Sequence, residues 1–160
     1  MSAMARGQTT SHYVCGFMFS VELAWVGLIR KQRPAWQQGL LNGIGGRIEP
    51  REQPCEAMVR EFKEETGCPT CAEDWHHFLY MDGENDAGTG LFSVDFFACR
   101  GRLVALRSVT DEKVEICRVR NMDPLWTRRC AVENVSWLVG LAIDHLRDGR
   151  PSFATVKYNR

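Results

Sequence analysis

Three glutamates, Glu61, Glu64 and Glu65, fall at i, i+3 and i+4 in the run Arg60-Glu61-Phe62-Lys63-Glu64-Glu65-Thr66-Gly67. On a helix that turns about 100° per residue they share one edge, beside an apolar face of Cys55, Met58, Val59 and Phe62. That placement is unfavourable twice over. Like charges repel at this spacing, and the C-terminal end of a helix is already negative. Acidic runs are usually solvated faces. Here, though, a Gly45-Gly46 pair and two further acids, Glu49 and Glu52, precede the helix. A hard divalent cation such as Mg2+ would relieve the repulsion, because it binds carboxylate oxygens, waters and phosphates. Glycines, lacking Cβ, let backbone carbonyls approach such an ion. Arg60 stands one turn from both Glu56 and Glu64 and can steady a carboxylate. The chemistry implied is metal-assisted attack of water on a phosphate anhydride, with a carboxylate taking the proton.

The elements that must position these groups can be read from the same chain. Pro54 suits the first position of a helix and Gly67 its left-handed cap, which predicts a helix over 54–66. Residues 12–19 and 22–30 are rich in β-branched and aromatic types and read as strands, with a turn near Ser20. A basic loop, Arg30 to Gln38, and the glycine-dense stretch Leu40 to Gly46 follow. Segments 76–82 and 91–99 read as a hairpin around GENDAGTG, and 113–119 as a further strand. Apolar residues at 135, 138, 139, 142, 143 and 146 predict a last helix over 132–147. Strands, helix, strands, helix make a mixed α/β domain.

The pattern G-x5-E-x7-R-E-U-x-E-E-x-G-U, with U apolar, is met by Gly46, Glu52, Arg60, Glu61, Phe62, Glu64, Glu65, Gly67 and Cys68. Residues 46–68 thus resemble the Nudix box at every constrained position. The order of strands and helices over about 12–148 also resembles the Nudix α/β/α sandwich with its mixed central sheet. The resemblance implies a single domain over 12–160 behind a flexible segment, 1–11. It implies Mg2+-dependent hydrolysis of a nucleoside diphosphate linked to another moiety, with Mn2+ as a substitute ion. Carried over by residue, Glu61, Glu65 and the Gly45 carbonyl would be metal ligands, with Glu64 a further one. Arg60 would orient these carboxylates, and Glu52 would support the loop or a second metal. The catalytic base would be Glu61, or else Glu112, which sits where a later loop glutamate often occurs and reads equally as an exposed turn acid.

The expected substrate is a nucleoside triphosphate, because the chain adds little to the core and lacks the extra signatures of other branches. The stretch Leu41-Asn42-Gly43-Ile44-Gly45-Gly46 resembles the WNGFGG segment of the family's oxidised-purine triphosphatases, which makes Asn42 a candidate base contact. Leu41 stands in place of tryptophan and Ile44 in place of the usual proline, so base identity stays open. Asn134 resembles a base-contacting asparagine of mutator-type members, although Asn at the start of the last helix reads more readily as its N-cap. Arg30, Lys31 and Arg33 could meet phosphates or be solvated loop charges. Trp36 could stack on a base or belong to the core. Alternatives are a hydrolase of sugar or dinucleotide conjugates, and a Nudix module that senses nucleotides without cleaving them.

Composition narrows the partners. Twenty Lys+Arg balance 20 Asp+Glu, which disfavours a protein that coats a nucleic-acid polymer. Six acids but only four basic residues fall between Gly46 and Cys68, so the charge is sorted locally. No apolar run reaches the length of a membrane span, and no secretory signal is evident. Seven cysteines without such a signal predict free thiols in a reducing cytoplasm. Cys68-Pro69-Thr70-Cys71 with His76 and His77 has part of a zinc spacing but no second ligand pair. The resemblance also admits a homodimer.

Overall fold

Val14, Gly16 and Met18 alternate with Cys15, Phe17 and Phe19, so both faces of this segment are apolar, as in a strand covered on both sides. The computed structural model describes residues 9–84, 90–149 and 157–158, and this segment is its central strand, β1 (Thr9–Phe19). The other strands are β2 (Trp25–Arg30), β3 (Leu41–Asn42), β4 (His76–Glu84), β5 (Gly90–Arg100), β6 (Lys113–Arg118) and β7 (Lys157–Tyr158). They form one sheet in the order β3-β2-β1-β5-β4-β7, with β6 on the free side of β2. β1 and β5 run parallel from Thr9 opposite Gly90 to Phe19 opposite Arg100. β1 with β2, β2 with β3 and β6, and β4 with β5 are antiparallel.

Helices cover both faces. Ala57, Met58 and Phe62 of α1 (Pro54–Thr66) pack with Val14, Met18, Ile29, Ile44, Trp75 and Phe97. On the opposite face, Val135, Leu138, Val139, Ala142 and Ile143 of the last helix pack with Phe17, Phe19, Phe78 and Phe96. That helix is α3 (Val135–Asp148), and a short α2 (Pro124–Cys130) precedes it. The architecture is the expected α/β/α sandwich around a mixed sheet. Among the described residues no helix is long and apolar enough to cross a membrane. The seven cysteines are free thiols.

Several expected boundaries move. Three of the residues assigned to a flexible N-terminal segment, 9–11, belong to β1, because they pair with 90–92 of β5. β2 begins at Trp25 rather than residue 22, since Ser20 Oγ accepts from the N–H groups of Ala24 and Trp25 and Leu23 takes a φ of 62°. The hairpin strands extend to Glu84 and from Gly90, and residues 85–89 of the expected loop lie outside the described residues. α2 was not foreseen. Asp123 caps it by accepting from Trp126 N–H at 2.7 Å, and Pro124 occupies its first turn.

Candidate functional site

The glycine-rich loop is laid along β1. Val14 N–H donates to the Gly46 carbonyl at 2.9 Å, Gly16 N–H to the Ile44 carbonyl at 2.7 Å, and Ile48 N–H to the His12 carbonyl at 2.9 Å. Alternate peptides of an extended segment point to opposite sides. The Gly45 N–H therefore points away from β1 and donates to Glu65 Oε2 at 3.2 Å. A Cβ on Gly45 would lie 2.1 Å from the Val14 carbonyl oxygen, so no larger residue fits this approach. At Gly46 a Cβ would lie 2.5 Å from the carboxyl carbon of Glu61. Two of the four motif carboxylates, Glu65 and Glu61, thus rest directly on the two glycines.

Arg60 organises the rest of the cluster. Its Nε and Nη2 donate to the two oxygens of Glu52 at 2.7 and 2.9 Å, its Nη1 donates to Glu61 Oε1 at 2.7 Å, and Nη2 also donates to the Arg47 carbonyl at 3.0 Å. Glu64, more exposed, is reached by Nη1 at 3.4 Å. Glu56, foreseen as a partner of Arg60, instead accepts from the Gln53 N–H at 2.9 Å and closes the start of α1. Glu49 N–H donates to Glu52 Oε2 at 2.9 Å. The bond from Arg60 holds Glu52 below the usual carboxylate range, while Glu52 in turn raises Arg60 further. Burial pushes Glu61 up despite Arg60. Burial also pushes Glu65 up to about 7, with Lys31 and the Gly45 N–H opposing and Glu112 and Glu61 adding to the rise. At Glu112 burial pushes up too, but the Lys31 bond and the N–H groups of Gln32 and Arg33 outweigh it, leaving the carboxyl below its ordinary value.

Beside this cluster lies a cavity of about 1010 Å3 lined by Gly45, Gly46, Lys31, Arg33, Asn42 and Asn134, with Met81, Phe92 and Phe96 on its apolar side. Asn42 Oδ1 accepts from Gly43 N–H at 2.8 Å, and its Nδ2 donates to Gln37 Oε1 at 3.1 Å. Asn134 makes no side-chain cap bond, and its φ of −81° and ψ of −11° are already helical. Its Oδ1 is buried without a hydrogen-bond partner. Arg30 is the one foreseen contact that does not line the cavity. It donates to both oxygens of Glu115, at 2.5 and 2.8 Å, and to the Gly39 carbonyl at 2.7 Å. Trp36 lines the wall, half exposed, as does Arg128 of α2, which the sequence reading did not single out. Its signal was the Asp123-Pro124 helix start, in a helix too short to show a period.

The sequence matches the family model of the NUDIX domain over residues 14–129. The chain belongs to the Nudix family. Solved structures similar in fold include a mutator MutT protein from Bacillus halodurans, with a TM-score of 0.66 and 17% identity, covering 93% of this chain and 90% of that one. A MutT NUDIX hydrolase from Burkholderia pseudomallei has a TM-score of 0.68 and 13% identity, covering 84% and 98%. A NUDIX hydrolase from Nitrosomonas europaea has a TM-score of 0.67 and 12% identity, covering 96% and 81%. At these identities the likeness is one of fold. No curated protein matches the sequence.

The Nudix-box donors are all oxygens, which suits a hard divalent ion. Among the described residues no three His, Cys, Asp or Glu side chains already form a metal-holding group. Arg60 supplies the positive charge at Glu52, Glu61 and Glu64, and Glu65, half-buried, is left with Lys31 as its main compensation. An ion between Glu61, Glu65 and the Gly45 carbonyl would supply what is missing, so the residues fit the group. A consequence is measurable. With a folded-state value near 7 against 4.5 in the unfolded chain, Glu65 keeps a proton that the unfolded state releases. Stability of the metal-free protein therefore falls as pH rises through that window, by about 3 kcal/mol at most. Mg2+ is expected to raise the melting midpoint more at about pH 8 than at about pH 5. Equal shifts at both would contradict this reading of Glu65.

Proposed function

We propose that this Nudix protein hydrolyses the pyrophosphate linkage of a nucleoside triphosphate or a modified nucleotide, oxidised purines included, by attack of water on phosphorus. The observation that carries the reading is that Gly45 and Gly46, against which Glu65 and Glu61 of α1 rest, line a cavity that the amides of Asn42 and Asn134 also line. Glu61, Glu65, Glu64 and the Gly45 carbonyl are the groups proposed to hold Mg2+ or, in its place, Mn2+, with Glu52 supporting the loop or a second ion. When bound, the ion would neutralise charge developing on the phosphates and polarise the attacking water. Glu61 is the proposed base: half-buried and raised by burial, it accepts the water's proton on a carboxylate oxygen. Arg60 holds that carboxylate in its rotamer through the 2.7 Å bond from Nη1. Lys31 and Arg33 meet the phosphate chain at the cavity wall.

The asparagines support a purine with mixed donors and acceptors. Asn42 Oδ1 is engaged, and its Nδ2 retains one N–H for a ligand acceptor. Asn134 Oδ1 lacks a donor, so it calls for one from the ligand. A base with a ring carbonyl and an adjacent N–H or amino group, as in guanine and its oxidised forms, meets both. Replacing Asn134 with Ala is expected to lower kcat/KM for the preferred purine about tenfold and to flatten discrimination between purines. Because the side chain makes no cap bond, the melting midpoint stays near that of the wild type. Unchanged discrimination would remove Asn134 from the site. The cavity, at the upper end of ordinary ligand pockets, also has room for a nucleoside diphosphate conjugate. A panel of triphosphates, oxidised triphosphates and sugar or dinucleotide conjugates, assayed with Mg2+, tests the function. Faster turnover of conjugates would shift the substrate class. Tight binding with no turnover of any member would make the protein a nucleotide sensor and overturn the enzyme reading.

A further inference from the structure

Glu112 lies at the end of the turn Thr110-Asp111-Glu112 that leads into β6, and it is buried. Its Oε2 accepts from Lys31 Nζ at 2.7 Å. Its Oε1 accepts from the backbone N–H of Gln32 at 2.8 Å and of Arg33 at 3.3 Å. The turn is braced internally, since the Thr110 hydroxyl accepts from the Glu112 N–H at 3.1 Å and donates to the Glu112 carbonyl at 3.3 Å. One residue earlier, Asp111 accepts from Nη1 and Nη2 of Arg33, both at 3.1 Å. Two consecutive acids therefore grip three consecutive residues of the β2–β3 connection. The ends of that grip face different ways. Lys31 and Arg33 line the cavity, whereas Glu112 does not.

A carboxylate whose two oxygens are both bonded in this way is badly placed to accept a proton from a reacting water. Protonating it would break a bond to Lys31 or to a backbone N–H and release the loop. We propose that Glu112 is a positioning residue that clamps residues 31–33 and so sets Lys31 and Arg33 at the cavity wall, without itself transferring a proton. The clamp is independent of the substrate; what Lys31 and Arg33 hold, the phosphate chain, rests on the nucleotide reading above.

The test is Glu112→Gln in the full chain, read by amide hydrogen exchange and by steady-state kinetics on a nucleoside triphosphate with Mg2+. Protection at the Gln32 and Arg33 amides is expected to fall about tenfold, with amides of α1 unchanged. KM is expected to rise about tenfold while kcat changes less than about threefold, and the acidic limb of the kcat pH profile stays in place. Intact protection at Gln32 and Arg33, or a kcat loss of about 100-fold at unchanged KM, would overturn the clamp. Should Glu112→Gln not fold, Asp111→Asn, which loosens only the outer grip, is expected to lower Arg33 protection and raise KM by a smaller factor; no change in either would overturn the proposal. If the wild type turns over no nucleotide, the functional reading fails, and the exchange result alone decides the clamp.

Discussion

Glu61→Gln is expected to lower kcat by about 10³-fold while KM stays within about threefold of the wild-type value. The amide keeps the shape of the carboxylate and can still accept from Arg60 Nη1, so the 2.7 Å bond and the packing over Gly46 survive. What disappears is the negative charge and the capacity to take a proton. Both act chiefly in the transition state, where water loses its proton and charge builds on phosphorus; ground-state binding of the ion and its phosphates still has Glu64, Glu65 and the Gly45 carbonyl, so it suffers less. The fold gives up little, because Glu61 is raised by burial and is costly to keep ionised there. Steady-state kinetics with a melting curve measure this. A kcat within about tenfold of the wild type would move the base elsewhere.

The second large effect comes from a residue with no chemistry of its own. Gly46→Ala places a methyl 2.5 Å from the Glu61 carboxyl carbon, so the carboxylate must leave its seat. The obstacle is the far end of a flexible side chain, and Gly46 does not occupy the left-handed region. Folding is therefore affected little, but activity is expected to fall about 100-fold, the scale on which a misplacement of one ångström acts. Gly45→Ala provides the contrast. There the methyl meets the Val14 carbonyl oxygen at 2.1 Å, in the backbone of β1. Stability is expected to drop by about 2 kcal/mol or more, with activity lost as a consequence. Melting midpoints and kcat for both variants separate the cases. A Gly46→Ala enzyme with full kcat would mean that the Glu61 position does not matter.

Much of this was legible because it is local. α1 announces itself through Pro54, the Cys55-Met58-Val59-Phe62 face and the Gly67 cap, and the carboxylate edge follows from helical spacing alone. What escaped depends on which strands meet. Arg30 looks like a phosphate contact until β6 pairs with β2 and brings Glu115 onto its guanidinium. The same pairing brings Glu112 to Lys31, a partnership between residues far apart in the chain. Asn134 carries the same local signal whether it caps a helix or lines a cavity. Only its helical ψ and its unpaired Oδ1 decide between them. Arg60 shows the limit from the other side: i, i+4 spacing names Glu56 and Glu64, but the fold gives the guanidinium to Glu52 and Glu61, with Glu64 at the margin.

The most direct test of the central claim is to incubate the protein with Mg2+ and a guanine-type nucleoside triphosphate in oxygen-18 water and analyse the phosphorus products. The account predicts a nucleoside monophosphate and pyrophosphate, one of them carrying a single oxygen-18 atom, and almost none of either from Glu61→Gln. Nucleotide that is bound and released unchanged, or products free of label, would contradict it.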